Sequence, residues 1–224
     1  MNYKSIAVDG PSGAGKSTMA RKIAQALGYL YVDTGAIYRT LGLFALRQGV
    51  SPDDAQAVAA LLPQAGIRMS CGEDGVQRMY LNGENVTGDI RVPEVSAAAS
   101  HVSAYPPVRA FLLDMQRELA KSGNVIMDGR DIGTVVLPDA DVKIFLTASA
   151  EDRARRRLAE LLERGEQVGF EAVLSDIVER DRRDSTRAVS PLRPAEDSIL
   201  VDTTDKSLEE SFAVLLRTIR EKLA

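Results

Sequence analysis

Residues Lys4–Leu27 read KSIAVDGPSGAGKSTMARKIAQAL. The opening run, Lys4–Asp9, is short and apolar and closes on a glycine cluster, which predicts a buried strand followed by a turn. Met19, Ala20, Ile23, Ala24 and Leu27 then recur at helical spacing, so a helix is expected over Ser17–Leu27. Between strand and helix stands GPSGAGKS, Gly10–Ser17, a full match to GxxxxGK[ST] in the context the motif demands. Glycines let backbone N–H groups turn inward around phosphate oxygens, and the helix N-terminus adds positive partial charge. Lys16 is placed to reach the β- and γ-phosphates and Ser17 to hold Mg²⁺. Gly10, Pro11, Ser12, Gly13, Ala14, Gly15, Lys16, Ser17 and Thr18 are therefore candidate residues for binding a nucleotide's phosphates.

Working outward, Leu30–Asp33, Asn124–Asp128, Val142–Thr147 and Ser198–Asp202 are further buried-strand candidates, each followed by a polar or helical stretch. This alternation predicts an α/β fold with a parallel sheet covered by helices on both faces. Several of these strands end in Asp, at the carboxyl edge where open α/β sheets place their ligands. Asp128 closes VIMD as an acid near a nucleotide-bound metal would, while Asp9 and Asp33 read more readily as strand-end turn residues. About ninety residues separate the second strand from the third, far more than one crossover helix needs, so an insertion is expected. Within it Ile67–Ser70, Gln77–Leu81 and Glu84–Val86 read as a small antiparallel sheet around the turns GEDG and NG. Ser96–Ala99 and Pro107–Ala120 read as helices, the latter with a core stripe of Val108, Phe111, Leu112, Met115 and Leu119.

Composition narrows the class. The 224 residues are 45% hydrophobic and 27% charged, with no apolar run near the roughly 18 residues that span a bilayer. The start MNYKSIAVDGPSG does not read as a secretory signal, so a cytoplasmic protein without membrane association is expected. A lone Cys71 and a lone His101 argue against disulfide and zinc chemistry, and both read as structural. The net charge of −4 argues against a nucleic-acid partner. That balance hides an asymmetry: 21 Arg stand against 7 Lys, and ten of the arginines lie between Arg153 and Arg193.

The arginine-rich region predicts two charged helices. Ser149, with Asp152 three residues on, caps the first, which Gly165 ends; the second runs from Phe170 to about Arg183. A last helix, Ser207–Leu223, packs through Phe212, Leu215, Leu216 and Ile219. Two anionic substrates repel each other, and a transferring phosphoryl group spreads charge over its oxygens, so a kinase acting on phosphates needs several permanently charged guanidinium forks. ERDRRDSTR, Glu179–Arg187, supplies Arg180, Arg183 and Arg187 at near-helical spacing, so that several can converge on one face. A solvated charged helix is the alternative, since acids are as frequent as arginines over residues 151–184.

GPSGAGKS, DTGAIYR (Asp33–Arg39), DGRDIGT (Asp128–Thr134) and ERDRRDSTRAVSPL (Glu179–Leu192), in this order, resemble the bacterial cytidylate kinases of the nucleoside monophosphate kinase group. The resemblance implies a P-loop α/β fold: a core of residues 1–34, 121–152 and 190–224, a nucleoside-monophosphate-binding insertion over 35–120 containing the small antiparallel sheet, and an Arg-rich helical lid over 153–189. It implies transfer of a phosphoryl group from ATP to CMP or dCMP, with Mg²⁺ held by Ser17 and Asp128, in a cytoplasmic monomer of pyrimidine metabolism. Arg39 and Arg130 would grip the acceptor phosphate, with Thr34 and Tyr38 shaping that pocket. Ser100, Arg109 and Asp131 would face the base, an assignment in keeping with cytosine's N4 donor and its N3 and O2 acceptors. Arg180 and Asp184 would meet the ribose, Arg180 and Arg187 the transferring group, and Arg157 the donor from the lid. Catalysis would then fall to Lys16, Asp128, Arg130, Arg180 and Arg187. A kinase of another acceptor such as UMP, AMP or shikimate, or a non-catalytic nucleotide switch, remains the alternative.

Overall fold

The computed structural model describes residues 3–72 and 75–223. In chain order the elements are β1 (Ser5–Asp9), α1 (Lys16–Leu27), β2 (Leu30–Asp33), α2 (Thr34–Arg47), α3 (Ala55–Leu61), β3 (Ile67–Cys71), β4 (Gln77–Leu81), β5 (Glu84–Asn85), α4 (Pro93–Val102) and α5 (Pro106–Lys121). There follow β6 (Val125–Gly129), a one-turn π-helix (Ile132–Val136), β7 (Val142–Thr147), α6 (Ala150–Glu163), α7 (Phe170–Thr186), β8 (Ile199–Asp202) and α8 (Leu208–Leu223). They divide into two compact units, one made of Met1–Tyr29 with Val125–Ala224, the other of Leu30–Asn124.

In the first unit β6, β1, β7 and β8 lie side by side in that order, all parallel. Their sequences are apolar without alternation because both faces of a parallel sheet are covered. Ile6, Ala7, Val8, Ile126, Met127, Ile144 and Leu146 are buried in the sheet, with Met19, Ile23 and Ala24 of α1 and Leu215 and Ile219 of α8 also in the core. Complete burial of one such Ile is worth about 1.5–3 kcal/mol, so the strands are held by packing more than by propensity. Val8 is paired with Asp128 and Asp9 with Gly129, which brings the carboxyl ends of β1 and β6 level.

The two charged helices, α6 and α7, enclose an apolar seam of Ala154, Leu161, Val173 and Ile177. Ser149 caps α6 by accepting from the Asp152 N–H, as the sequence implies. Outside the seam Arg182 pairs with Glu179 and Arg155 with Asp152, which is the solvated-helix alternative realised for those residues.

In the second unit β3, β4 and β5 form the expected antiparallel sheet, Met69 opposite Met79 and Tyr80 opposite Asn85. The GEDG turn of the sequence reading includes Glu73 and Asp74, which lie outside the described residues. The core gathers Ile37, Leu41 and Phe44 of α2, Met79 and Leu81 of β4, and Val108 and Leu112 of α5. Met115 and Leu119 pack at its edge, but Phe111, expected in the stripe, is 40% exposed. Phe111 precedes Leu112 by one residue, so the buried side of α5 that holds Leu112 turns it toward solvent.

Gly42 sets how closely α2 and α4 approach. A Cβ there would stand 2.9 Å from the Ala99 nitrogen and 3.2 Å from the Ala98 Cβ. Alanine would add about 1 kcal/mol of helix propensity, whereas forcing apart a packed backbone costs about 1–3 kcal/mol. The clash decides: Gly42→Ala is expected to lower the urea midpoint without changing the slope. A midpoint equal to or above that of the parent would show that the two helices have room to spare.

Candidate active site

The cradle is built where β1 runs into α1. Gly10 has φ +149°, and a Cβ at this position would fall 1.9 Å from the Leu146 carbonyl oxygen, so no side chain fits between the turn and β7. Pro11 and Ala14 are buried, Thr18 is exposed, and Gly15, with φ +83°, forms the N-cap of α1 without a side-chain cap. Lys16 is buried and its Nζ donates to the Pro11 carbonyl at 2.7 Å. Burial, reinforced by the Arg130 charge, pulls the Lys16 pKa down to about 7, although Asp128, Asp184 and Asp9 oppose the shift. Ser17 Oγ donates to Asp128 Oδ2 at 2.7 Å. A hydroxyl and a buried carboxylate oxygen at a phosphate cradle are hard donors of the kind Mg²⁺ prefers, so the residues present fit that ion.

Beyond β6 the chain turns through Arg130 and Asp131 into the π-helix. Asp9 holds this turn: its two carboxylate oxygens accept from the Ile132 and Gly133 N–H groups at 2.8 and 2.7 Å. Burial pushes the Asp9 carboxyl up to about 6, with those two hydrogen bonds pulling against it. Asp9 thus buttresses the segment that carries Asp131. Its only trace in the sequence is its place at the end of β1, which a turn residue explains equally well.

The arginines of this unit divide by environment. Arg130 Nε donates to Asp184 Oδ2 at 2.8 Å, and Arg187 Nη2 stands 3.6 Å from Asp131 Oδ1. Burial raises the Asp184 pKa, but Arg130 first, then Arg187 and Arg180, outweigh it and hold the carboxyl below its usual value. Burial and the neighbouring Arg130 lower that of Arg180, whose nearest ion-pair partner is Asp176 at 3.9 Å. Arg130, Arg180, Arg187 and Asp184 therefore share one neighbourhood with Asp131. Arg183 reaches back to Glu179 at 3.8 Å, one turn before it, and Arg187 is beyond the last helical residue, its Nε donating to the Ser190 carbonyl. Arg157 pairs with Glu160 on the flank of α6.

In the second unit Asp33 ends β2 and at once caps α2, accepting from the Ala36 N–H at 3.0 Å. Its other oxygen takes the Arg39 guanidinium at 2.6 Å. Thr34 and Tyr38, on the same helix, are buried. Arg109 of α5, also buried, lies with its guanidinium 5.5 Å from the Tyr38 ring centroid and donates to the Ser103 carbonyl at 3.0 Å. Ser100 sits on α4, three residues before Ser103, whose hydroxyl donates to its carbonyl. Helix α2, which organises this cluster, is not among the helices read from the sequence.

The family model described as "Cytidylate kinase" matches residues 6–221. The chain belongs to the cytidylate kinase family. It is 51% identical over 217 residues to a cytidylate kinase of Carboxydothermus hydrogenoformans, covering 97% of each chain. To one of Geobacter sp. it is 46% identical, covering 98% of this chain and 94% of the relative. A crystal structure of an uncharacterized protein from Eubacterium ventriosum superposes with a TM-score of 0.54 at 13% identity, over 98% of this chain and 99% of that one, a likeness of fold alone. The α/β P-loop architecture expected from the sequence is that of the cytidylate kinase family chain described above. No helix among the described residues is long and apolar enough to cross a membrane.

The lowered Lys16 pKa has a measurable consequence. Phosphate oxygens favour a charged ammonium, so if the Lys16 cradle takes the phosphates of ATP, binding is expected to restore the proton that burial disfavours, between about pH 7 and the unperturbed lysine value near 10.5. Calorimetric titration with ATP near pH 8.5, in buffers of different ionisation enthalpy, is expected to show net proton uptake that Lys16→Met removes. Affinity should fall as pH rises through this window. Folding stability has the opposite sign: a lysine whose folded pKa is depressed contributes stability above about pH 10.5 that is lost as pH falls toward 7. Uptake equal in parent and Lys16→Met would mean that Lys16 is charged in the free protein.

Proposed function

We propose that this chain transfers the γ-phosphoryl group of ATP to CMP or dCMP, giving ADP and CDP or dCDP. The observation that carries the reading, beside family membership, is the burial of Lys16 in the same neighbourhood as Arg130 and Asp184, in the unit that holds the cradle. A nucleotide switch needs its cradle and segments that respond to the γ-phosphate, but no place for a second phosphate. A second set of buried guanidinium groups is what a second phosphate requires.

On this reading residues 10–18 hold the donor phosphates, with Arg157 assisting, and Ser17 and Asp128 hold Mg²⁺. When bound, the ion neutralises charge on the β- and γ-phosphate oxygens. Arg39 and Arg130 take the acceptor phosphate, Thr34 and Tyr38 line its place, and Ser100, Arg109 and Asp131 recognise the base. Asp131 accepts from the cytosine N4 amino group, which uracil lacks. Arg180 and Asp184 bind the ribose, and Arg180 and Arg187 stabilise the migrating group. The acceptor phosphate oxygen is already anionic near neutral pH, so attack is direct and in line, without a covalent enzyme intermediate or a strong general base. Positioning and charge stabilisation supply the rate. The region α6–α7 acts as a lid that excludes water, which would otherwise take the phosphoryl group.

Coupled ADP-release assays over CMP, dCMP, UMP, AMP and shikimate are expected to show turnover with the cytosine nucleotides and little with the rest. Asp131→Asn should reduce kcat/KM for CMP about tenfold to a hundredfold, the worth of one hydrogen bond to a charged group, with the KM for ATP unchanged. Equal losses toward both substrates would remove Asp131 from base recognition, and preference for UMP or AMP in the parent would overturn the acceptor assignment.

A further inference from the structure

One ion pair, between a buried arginine and a half-buried aspartate, has no part in the roles assigned above. Arg153, on α6, is 5% exposed, and its guanidinium is held through Nε and Nη1. Nε donates to the Ala148 carbonyl at 2.9 Å, and Nη1 donates to the Ser12 carbonyl at 2.9 Å while standing 2.6 Å from Asp181 Oδ2. The other oxygen of Asp181, on α7, accepts from the Ser12 N–H at 3.4 Å. Both backbone polar groups of Ser12, inside GPSGAGKS, are thus held by side chains from α6 and α7. The next residue leaves no slack: a Cβ on Gly13 would stand 3.2 Å from the Arg153 Cβ and 3.5 Å from Ile177 Cδ1.

The chemistry of a phosphate cradle depends on peptide orientation. An N–H aimed at a phosphate oxygen attracts it, and a carbonyl aimed there repels it. A buried ion pair is poor evidence of a stability role, since well-packed apolar residues do as well or better, but it is effective at fixing one geometry. We propose that Arg153 and Asp181 are positioning residues that fix the Ser12 peptide groups, keep its carbonyl turned toward the helices, and so set the cradle for the donor's triphosphate. Asp181 precedes Asp184 by three residues on α7, so the same pair ties the cradle to the helix face that carries Asp184. The inference rests on the reading of residues 10–18 as the donor cradle.

The test compares Arg153→Met, Arg153→Lys, Asp181→Asn and the double variant Arg153→Met/Asp181→Asn with the parent, by steady-state kinetics and by calorimetric titration with ATP. Arg153→Met and Asp181→Asn should each raise the KM and the Kd for ATP about tenfold, the KM for CMP staying within about twofold. The double variant should be little worse than Arg153→Met, because the two residues are paired with each other and hold the two peptide groups that meet at Ser12. Arg153→Lys, which keeps the charge but not the fork, should recover part of the loss. Arg156→Ala, which removes a neighbouring pair to Asp152 and Thr203 on the same helix, should lower the melting temperature and leave the KM for ATP alone. A role in folding only would make the Arg153 and Asp181 variants behave like Arg156→Ala. If Arg153→Met does not fold, Asp181→Asn, nearly identical in shape, and Arg153→Lys decide the matter. An ATP KM within twofold of the parent in the folded variants, or equal increases for ATP and CMP, would overturn the proposal. Lys16→Ala, titrated alongside, separates the two readings. If it binds ATP as the parent does, the cradle assignment fails. If it loses ATP while Arg153→Met and Asp181→Asn keep it, only the positioning role fails.

Discussion

Cations that are to meet phosphates must also be tolerable when no phosphate is bound, and this constraint shapes the site. Leaving a guanidinium or an ammonium buried and unpaired costs several kcal/mol. Arginine cannot escape by losing its proton, so a deep arginine is best met by an anion, although Arg109 is held by a carbonyl and the Tyr38 ring. Arg39 rests on Asp33, Arg130 on Asp184, and Arg187 faces Asp131. Lysine has the other exit. Lys16 donates to a carbonyl, and its burial is met by a pKa near 7. The difference between the two residue types explains why the cradle carries a lysine and the remaining positions carry arginines. One charge can be partly shed and regained on binding, while the others can only exchange one anion for another.

Exchange is inexpensive when the resting anion is held nearby. The motifs read as DTGAIYR, DGRD and RRDSTR each contain at least one aspartate and at least one arginine within a few residues. In the first the pairing is internal, Asp33 with Arg39. In the other two it is crossed: Arg130 goes to Asp184, and Arg187 faces Asp131. Crossing ties the turn after β6 to the end of α7, so that, on the proposed reading, a phosphate taking one arginine would also free an aspartate on the opposite element. Spacing alone would have paired neighbours in sequence, and only the fold shows that they trade partners.

What was legible in the sequence follows from how local its physics is. The strand, cradle and first helix could be read because a GxxxxGK[ST] turn demands glycines at fixed offsets, and the β3–β4–β5 sheet could be read from alternation and an NG turn. Helix α2 was missed because it is buried on nearly every side, Ile37, Tyr38, Leu41, Leu43 and Phe44 together, which erases the amphipathic period. The π-helix has no sequence signature at all and exists because Asp9 captures two successive N–H groups at Ile132 and Gly133. Spacing groups Arg180, Arg183 and Arg187; Arg180 and Arg187 do meet around Asp184, the second from just past the end of α7, while Arg183 also reaches back to Glu179 one turn before it.

The same contrast divides the functional groups. Most side chains that would touch substrate, Ser100, Arg109 and Arg157 apart, stand in short motifs because their chemistry fixes both residue type and spacing. The groups that hold those motifs in shape obey no such rule. Asp9 supports a turn 123 residues away, and Asp181 reaches Ser12 across 169. Any carboxylate on any element that passes close enough could do the same work, so neither residue type nor register announces it. A cradle made of backbone is therefore conspicuous in sequence through its glycines, while its orientation is owed to side chains that look like ordinary members of two charged helices. That is why the arginine-rich region reads as an undivided run of charge, although Arg153 is buried against the cradle and Arg155, two residues on, is exposed on the outer face.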